Sequence, residues 1–311
     1  MEPLINFEKK TYSQHGEDGI VQEVLKRISK HRKLDLWCVE FGAWDGVKGS
    51  NTCRLIREEN YSAVLIEGDK KRAQQLNSNF PQPNVHKICR FVNFEGKNTL
   101  EKILSETPLP LNFDFLSIDI DGVDFHVFES LNLFRPKIIC IEFNHQIPNA
   151  VNYVQKKDFS IKQGSSAKAL LKLANDKDYS LVAVTGCNMI IVSNDLKDFV
   201  LDSEASLEEL NTQGNNPTYI FSGYDGSIMS NKEHIFLGWH GVPVQIKKLQ
   251  FLPKPLRKFY GDYGVIRWTI FAIYVAISMP SLVWKHRIKV TERLKRVLKF
   301  KFHIDLQKKK K

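Results

Sequence analysis

The run Cys38-Val39-Glu40-Phe41-Gly42-Ala43-Trp44-Asp45-Gly46 reads as a buried strand closing on a glycine turn, and Val64-Leu65-Ile66-Glu67 as a second strand closing on an acid 21 positions beyond Gly46. In a parallel α/β sheet such a pair holds an adenine nucleoside: the turn lets the backbone approach the ligand, and the acid accepts hydrogen bonds from the ribose hydroxyls. Gly42, Gly46 and Gly49 space as GxxxGxxG rather than the GxGxxG of a nicotinamide or flavin site, and no Walker A run occurs.

Around this pair the chain alternates in type. Ile20, Val21, Val24, Leu25 and Ile28 recur at helical intervals behind Asp18, which that pattern makes an N-cap. A strand at 36–41 and a helix through Leu55 and Ile56, capped from Ser50 or Asn51, come next. Strand 63–67, helix 70–79, strand 85–92, helix 98–105, strand 113–119, helix 124–132, strand 137–143 and helix 166–175 continue the series. Such alternation predicts a doubly wound, Rossmann-like α/β sheet. Residues 180–193 break it, because Thr185-Gly186-Cys187-Asn188 leaves no room for a crossover helix between two β-rich runs. An antiparallel hairpin must therefore end the parallel sheet. From 194 to 260 the chain is mixed, with turn signals at Gly214-Asn215-Asn216-Pro217 and Gly223-Tyr224-Asp225-Gly226.

The formal net charge of +10 has a location. Residues 285–311 hold 12 Lys or Arg against Glu292 and Asp305, so residues 1–284 are neutral on balance. That argues against a nucleic-acid surface on the folded domain and for a local electrostatic device. The five cysteines are scattered without a CxxC pair, and the first residues carry no basic segment followed by an apolar one. Reduced thiols and a cytoplasmic location are the expectation.

Two further strands carry acids to the carboxyl edge, where open α/β sheets bind their ligands. Phe113-Asp114-Phe115-Leu116-Ser117-Ile118-Asp119-Ile120-Asp121-Gly122 delivers Asp119 and Asp121, and Ile138-Ile139-Cys140-Ile141-Glu142-Phe143-Asn144-His145 delivers an acid, an amide and an imidazole. Asp119, Asp121, Glu142 and Asn144 form an all-oxygen set suited to a hard cation such as Mg²⁺, with loop caps at the strand ends as the structural alternative. Asp121 and His145 are the candidate general bases, while His126, beside Phe125, Val127 and Phe128, reads as a packed surface histidine.

With these elements in order, the chain resembles the FkbM-type family of S-adenosylmethionine-dependent methyltransferases. The resemblance runs through Tyr12-Ser13-Gln14-His15-Gly16-Glu17-Asp18, Val39 to Gly46, Ser50-Asn51-Thr52, Leu65-Ile66-Glu67-Gly68-Asp69, Ile118 to Gly122 and Ile141-Glu142-Phe143, and covers roughly residues 10–195. It implies a class I methyltransferase sheet of seven strands with the last antiparallel. It implies that Glu40, Gly42, Ala43 and Asp45 border the methionine part and the adenosine of S-adenosylmethionine, that Glu67 binds the ribose, and that Gln14 and Asp18 lie beside the cofactor. Ser50, Asn51 and Asp119 complete the cofactor set. The chain departs from the family at Gly68, where a proline is usual, and at Asp121, where glutamate is common.

Residues 268–284 carry no charge and run from Trp268 to Trp284 into the basic tail. Seventeen residues interrupted by Pro280 are short for a span, and a cytoplasmic basic tail would put the enzyme domain outside. Lying on an anionic membrane, with Trp268 and Trp284 at the interface, is the easier membrane reading, and a helix buried in the fold is the alternative.

The expected organisation is a methyltransferase-like domain at 1–195, an extension or cover at 196–264, and an apolar segment with basic tail at 265–311. The expected activity is methyl transfer to a hydroxyl of a sugar or other small polar acceptor. Two rivals stand beside it. One is a glycosyltransferase using Asp119-Ile120-Asp121 as a DxD motif for Mn²⁺ and a UDP-sugar. The other is a membrane-tethered binding protein whose cofactor site is idle.

Overall fold

The computed structural model describes residues 1–280; residues 281–311, with Trp284 and the basic tail, lie outside the described residues. Residues 1–217 make one compact unit and the chain from Thr218 onward makes a second.

The first unit runs α1 (Glu17–Ser29), β1 (Trp37–Phe41), α2 (Cys53–Glu58), β2 (Ser62–Glu67), α3 (Lys70–Asn79), β3 (Val85–Cys89), α4 (Leu100–Leu104), β4 (Phe115–Ile118), α5 (Asp124–Ser130), β5 (Ile138–Glu142), α6 (Ala167–Asp176), β6 (Tyr179–Val184), β7 (Asn188–Ser193), α7 (Lys197–Val200) and α8 (Leu207–Leu210). The seven strands form one sheet in the order β3-β2-β1-β4-β5-β7-β6. Neighbours from β3 to β5 are parallel, and β7 is antiparallel to both β5 and β6. This is the doubly wound, Rossmann-like sheet expected from the alternation, ended by the expected antiparallel hairpin.

Period-two alternation explains why the strands are apolar on both faces. Val39, Phe41, Val64, Ile66, Leu116 and Ile118 face α4, α5 and α6, packing with Leu100, Val127 and Leu170. Cys38, Ala63, Leu65, Phe115 and Cys140 face the other way, onto Ile20, Val24, Leu55 and Leu76 of α1, α2 and α3. The hairpin enters the sheet differently from a simple addition at its end. The second of its strands, β7, lies between β5 and β6, with Ile139 opposite Ile191 and Leu181 opposite Ile191 from the other side. Residues Asn188 to Val192 are all buried, as an interior strand requires.

Local capping also differs from the expectation. The helix Asp18 was expected to cap begins at Glu17, with Gly16 at φ +91° as N-cap and no side-chain cap. Asp18 turns back instead, and its Oδ2 accepts the backbone N–H groups of Thr11, Tyr12 and Ser13 at 2.7–2.9 Å. Ser50 does serve the start of α2, accepting from the N–H of Cys53 at 3.0 Å.

The second unit contains the antiparallel hairpins β8 (Ile220–Ser222) with β9 (Ile228–Ser230) and β10 (His234–Leu237) with β11 (Val242–Gln245), followed by α9 (Val265–Ser278). The turn signal at 223–226 joins β8 to β9, closed by Gly223 N–H to Ser227 O at 2.8 Å. Trp268, which the membrane reading placed at the interface and the alternative buried in the fold, is only 6% exposed and packs edge-on against Tyr263 and Phe271. Among the described residues, no helix is long and apolar enough to cross a membrane.

Candidate functional site

Strand order reverses between β1 and β4, which lie side by side while β2 and β3 extend one way and β5 the other. A doubly wound sheet opens its ligand crevice at this switch point, outside the carboxyl ends of the strands. Gly42, at φ +76°, begins the turn there; a Cβ at this position would lie 1.9 Å from the carbonyl oxygen of Asp119, so only glycine lets the β1 turn pass this close to the end of β4. Ala43 N–H bonds Ile66 O at 3.1 Å, and Gly46 N–H bonds Ala43 O at 2.7 Å. Glu67 lies under the turn: its Oε2 accepts Trp44 N–H at 2.8 Å and its Oε1 accepts Asp69 N–H at 2.7 Å. Asp45 closes the far side, its Oδ1 accepting Val47 and Lys48 N–H, both at 2.9 Å. Trp44 takes φ +50° and stacks under the Arg72 guanidinium at 4.3 Å.

Glu40, Ser50 and Asn51 form a network beneath this turn. Glu40 is 5% exposed, and it accepts Ser50 Oγ–H at 2.6 Å, Thr52 Oγ1–H at 2.7 Å and Asn51 N–H at 2.9 Å. Asn51 in turn donates to Ser117 Oγ of β4 at 3.0 Å. Burial pushes the Glu40 carboxyl up despite those donors. Thr52 entered the sequence reading only within the Ser50-Asn51-Thr52 stretch and Ser117 only within a strand, neither with a role in the site. Gln14 sits against Gly49, where Ser13 makes a parallel bridge to Gly49 and Gly49 N–H bonds Tyr12 O at 2.9 Å. Asp18 holds that loop, while its Oδ1 is buried without a hydrogen-bond partner.

Carboxyl oxygens of Asp119, Asp121 and Glu142 lie within 4.8 Å of one another. Burial, then the negative charge of Asp124 and Asp121, pushes Asp119 up; burial, then the charge of Asp119, pushes Glu142 up. Two buried carboxyls that resist ionising, with a third carboxyl beside them, suit a shared proton or a hard divalent cation. Asn144 is engaged elsewhere: its Nδ2 donates to Gln163 O at 2.7 Å and its Oδ1 accepts Gln146 N–H at 2.9 Å. The turn bearing Asp121, at φ +58°, is braced by buried Asp124, which accepts Ile120 and Gly122 N–H, both at 2.8 Å.

Loop 144–166 covers this turn. Gln155 is 1% exposed, takes Gln163 and Gly164 N–H on its Oε1 at 2.7 Å, and donates to Ile161 O at 2.7 Å. A Cβ on Gly122 would meet its amide at 3.1 Å. His126 Nε2 lies 2.8 Å from Gln155 O and its ring meets Phe94 and Phe125, the packed role expected of it. Neither Asp124 nor Gln155 was visible as a site residue, because each acts by satisfying backbone groups, a role that residue type alone does not reveal.

His145 is half-buried after β5, and burial, then the charge of His15, lowers its pKa. His15 reaches Gly186 of the β6–β7 turn, where a Cβ would lie 2.7 Å from its Nδ1. Glu17, fully buried, ties the same loop to that hairpin through Thr185 Oγ1 at 2.5 Å, Asn188 Nδ2 at 2.9 Å and its own acceptance of His15 N–H at 2.8 Å.

No protein-family model matches this chain, and no curated protein matches it. Among solved structures, a SAM-dependent methyltransferase from Aquifex aeolicus is similar at 12% identity, over 60% of this chain and 94% of that one, with a TM-score of 0.35. The CMeT domain of a citrinin polyketide synthase is similar at 11% identity over 59% of this chain and 54% of that one, with a TM-score of 0.37. M. capricolum TrmK, solved in complex with S-adenosylhomocysteine, is similar at 12% identity over 55% of this chain and 66% of that one, with a TM-score of 0.32.

Proposed function

We propose that this chain is an FkbM-type methyltransferase that moves the methyl group of S-adenosylmethionine to a hydroxyl of a small polar acceptor, with sugars the leading class. The observation that carries the reading is the meeting of Gly42, Glu67 and Asp119 at the β1/β4 switch point of a sheet ordered β3-β2-β1-β4-β5-β7-β6. Each Glu67 oxygen accepts one backbone N–H and keeps a second lone pair, so the acid fits two ribose hydroxyls without releasing the turn. The bound cofactor supplies an electrophilic methyl on a sulfonium. Gln14, Ala43 and Asp45 would border it from the adjoining loops, while Asp18, Glu40, Ser50 and Asn51 act behind them by holding those loops in place.

Methyl transfer forms one O–C bond as one S–C bond breaks, and the acceptor proton must leave. His145 is suited to take it, because a lowered pKa keeps the imidazole neutral near pH 7. Asp121, exposed at the strand end, is the second candidate base. Asp119, Asp121 and Glu142 would hold Mg²⁺, which would orient and acidify the acceptor hydroxyl.

Calorimetric titration of the full chain with S-adenosylhomocysteine tests the reading. Micromolar binding supports it and opens a screen of hydroxyl acceptors. Absence of binding by the folded chain, together with binding of a UDP-sugar in Mn²⁺, would transfer the site to the glycosyltransferase rival. Binding of neither would leave the idle-site reading.

A further inference from the structure

Helix α9 carries Ile266, Ile270, Ile273 and Ile277 at spacings of four, three and four, which stacks them on one stripe. All four are exposed, from 52% at Ile270 to 79% at Ile266. The opposite face is the packed one, where Trp268 and Phe271 meet Tyr263, and on the flank of the stripe Tyr274 donates to Phe251 O at 2.5 Å. The helix therefore already spends one apolar face on its own unit and shows a second to the outside, which a helix resting in water alone would not do. Beside the stripe runs a groove of about 460 Å³, lined by Pro253, Pro255, Leu256, Ile266, Ile270 and Tyr274, with the cation Arg267 at its edge.

We infer that α9 is an in-plane anchor that lays its isoleucine stripe into the headgroup–acyl boundary of an anionic bilayer. Among the described residues, length argues against crossing: the 14 residues of α9 rise about 21 Å, short of a hydrocarbon core of about 30 Å. Charge selects lipid over a second copy of this chain. The sequence that follows within a few residues, 285–311, carries 12 Lys or Arg against two acids, and a second copy would bring that positive charge against its own. An acidic membrane satisfies both the stripe and the charge, and the groove with Arg267 suits an acyl chain below a phosphate.

Co-sedimentation of the full chain with phosphatidylcholine–phosphatidylserine vesicles, against phosphatidylcholine alone, tests this. The chain is expected to bind the anionic vesicles and to release at high salt. Ile270→Ser with Ile273→Ser should weaken binding by about tenfold or more, and Thr269→Leu, which widens the stripe, should strengthen it. Should the double serine variant fail to fold, the Thr269→Leu direction decides alone. Vesicle binding unmoved by these substitutions would overturn the role of α9, as would no vesicle binding at all. A lipid-free dimer that the serine variant turns into a monomer, read by light scattering, would assign the stripe to a second copy and overturn the membrane.

Discussion

The Glu67 carboxylate at the end of β2 accepts the backbone N–H of Trp44 at 2.8 Å, two residues past Gly42. The acid thus shapes the glycine turn before any ligand arrives, and a ribose clamp built on it would be preorganised. Glu67→Ala removes both the turn brace and a charge-assisted acceptor worth about 1.5–3 kcal/mol. S-adenosylhomocysteine affinity, measured by calorimetry, is expected to fall at least about tenfold; an unchanged affinity would refute the assignment.

Gly42→Ala should be among the most damaging single-methyl additions in the first unit. The new Cβ would stand 1.9 Å from Asp119 O in a backbone at φ +76°. The left-handed conformation alone costs about 1–2 kcal/mol, and the collision forces β1 and β4 apart on top of it. Urea unfolding is expected to show a loss of about 2 kcal/mol or more.

Stability should depend on pH through Asp119 and Glu142. Asp119 and Glu142 are raised in the folded state, burial being the first cause. Between the ordinary carboxylate value near about 4 and the raised values, the folded state holds more protons than the unfolded one, so stability falls as pH rises through that window. Glu142→Gln should raise the melting temperature near pH 8, and the gain should shrink toward pH 5. A variant less stable than the parent at pH 8 would contradict this.

The same crowding gives the metal a readout apart from activity. If the trio holds Mg²⁺, adding the ion should raise the melting temperature near pH 8, and EDTA should reverse the gain. Asp119→Asn should abolish the response. Identical melting with Mg²⁺ and EDTA would leave the trio a shared-proton cluster.

Glu17 moves in the opposite sense. Burial opposes its charge, yet Thr185, Asn188 and backbone donors more than offset that and hold its carboxyl below the usual range. A depressed folded value adds stability that is present above the unfolded pKa and is lost as pH falls through the folded one. Glu17→Gln is therefore expected to cost about 1–3 kcal/mol near pH 7 and progressively less in acid, measured by thermal unfolding across pH.

The doubly wound sheet, the closing hairpin and the acids at four strand ends were legible in the chain, because strand burial writes itself as apolar runs and turns as glycine. Local signals located α3 at Lys70–Asn79 and the turn at 223–226 for the same reason. Tertiary structure alone decided that β7 enters between β5 and β6, since hydrophobic runs do not encode which neighbour they pair with. It also decided that Glu40 faces Ser50, Asn51 and Thr52, that Asn144 turns to Gln163 while Asp119, Asp121 and Glu142 converge, and that Gln155 supports the covering loop. Residue type determines which groups must be satisfied when buried; only the fold, by bringing distant backbone N–H and carbonyl groups together, determines which partner satisfies them.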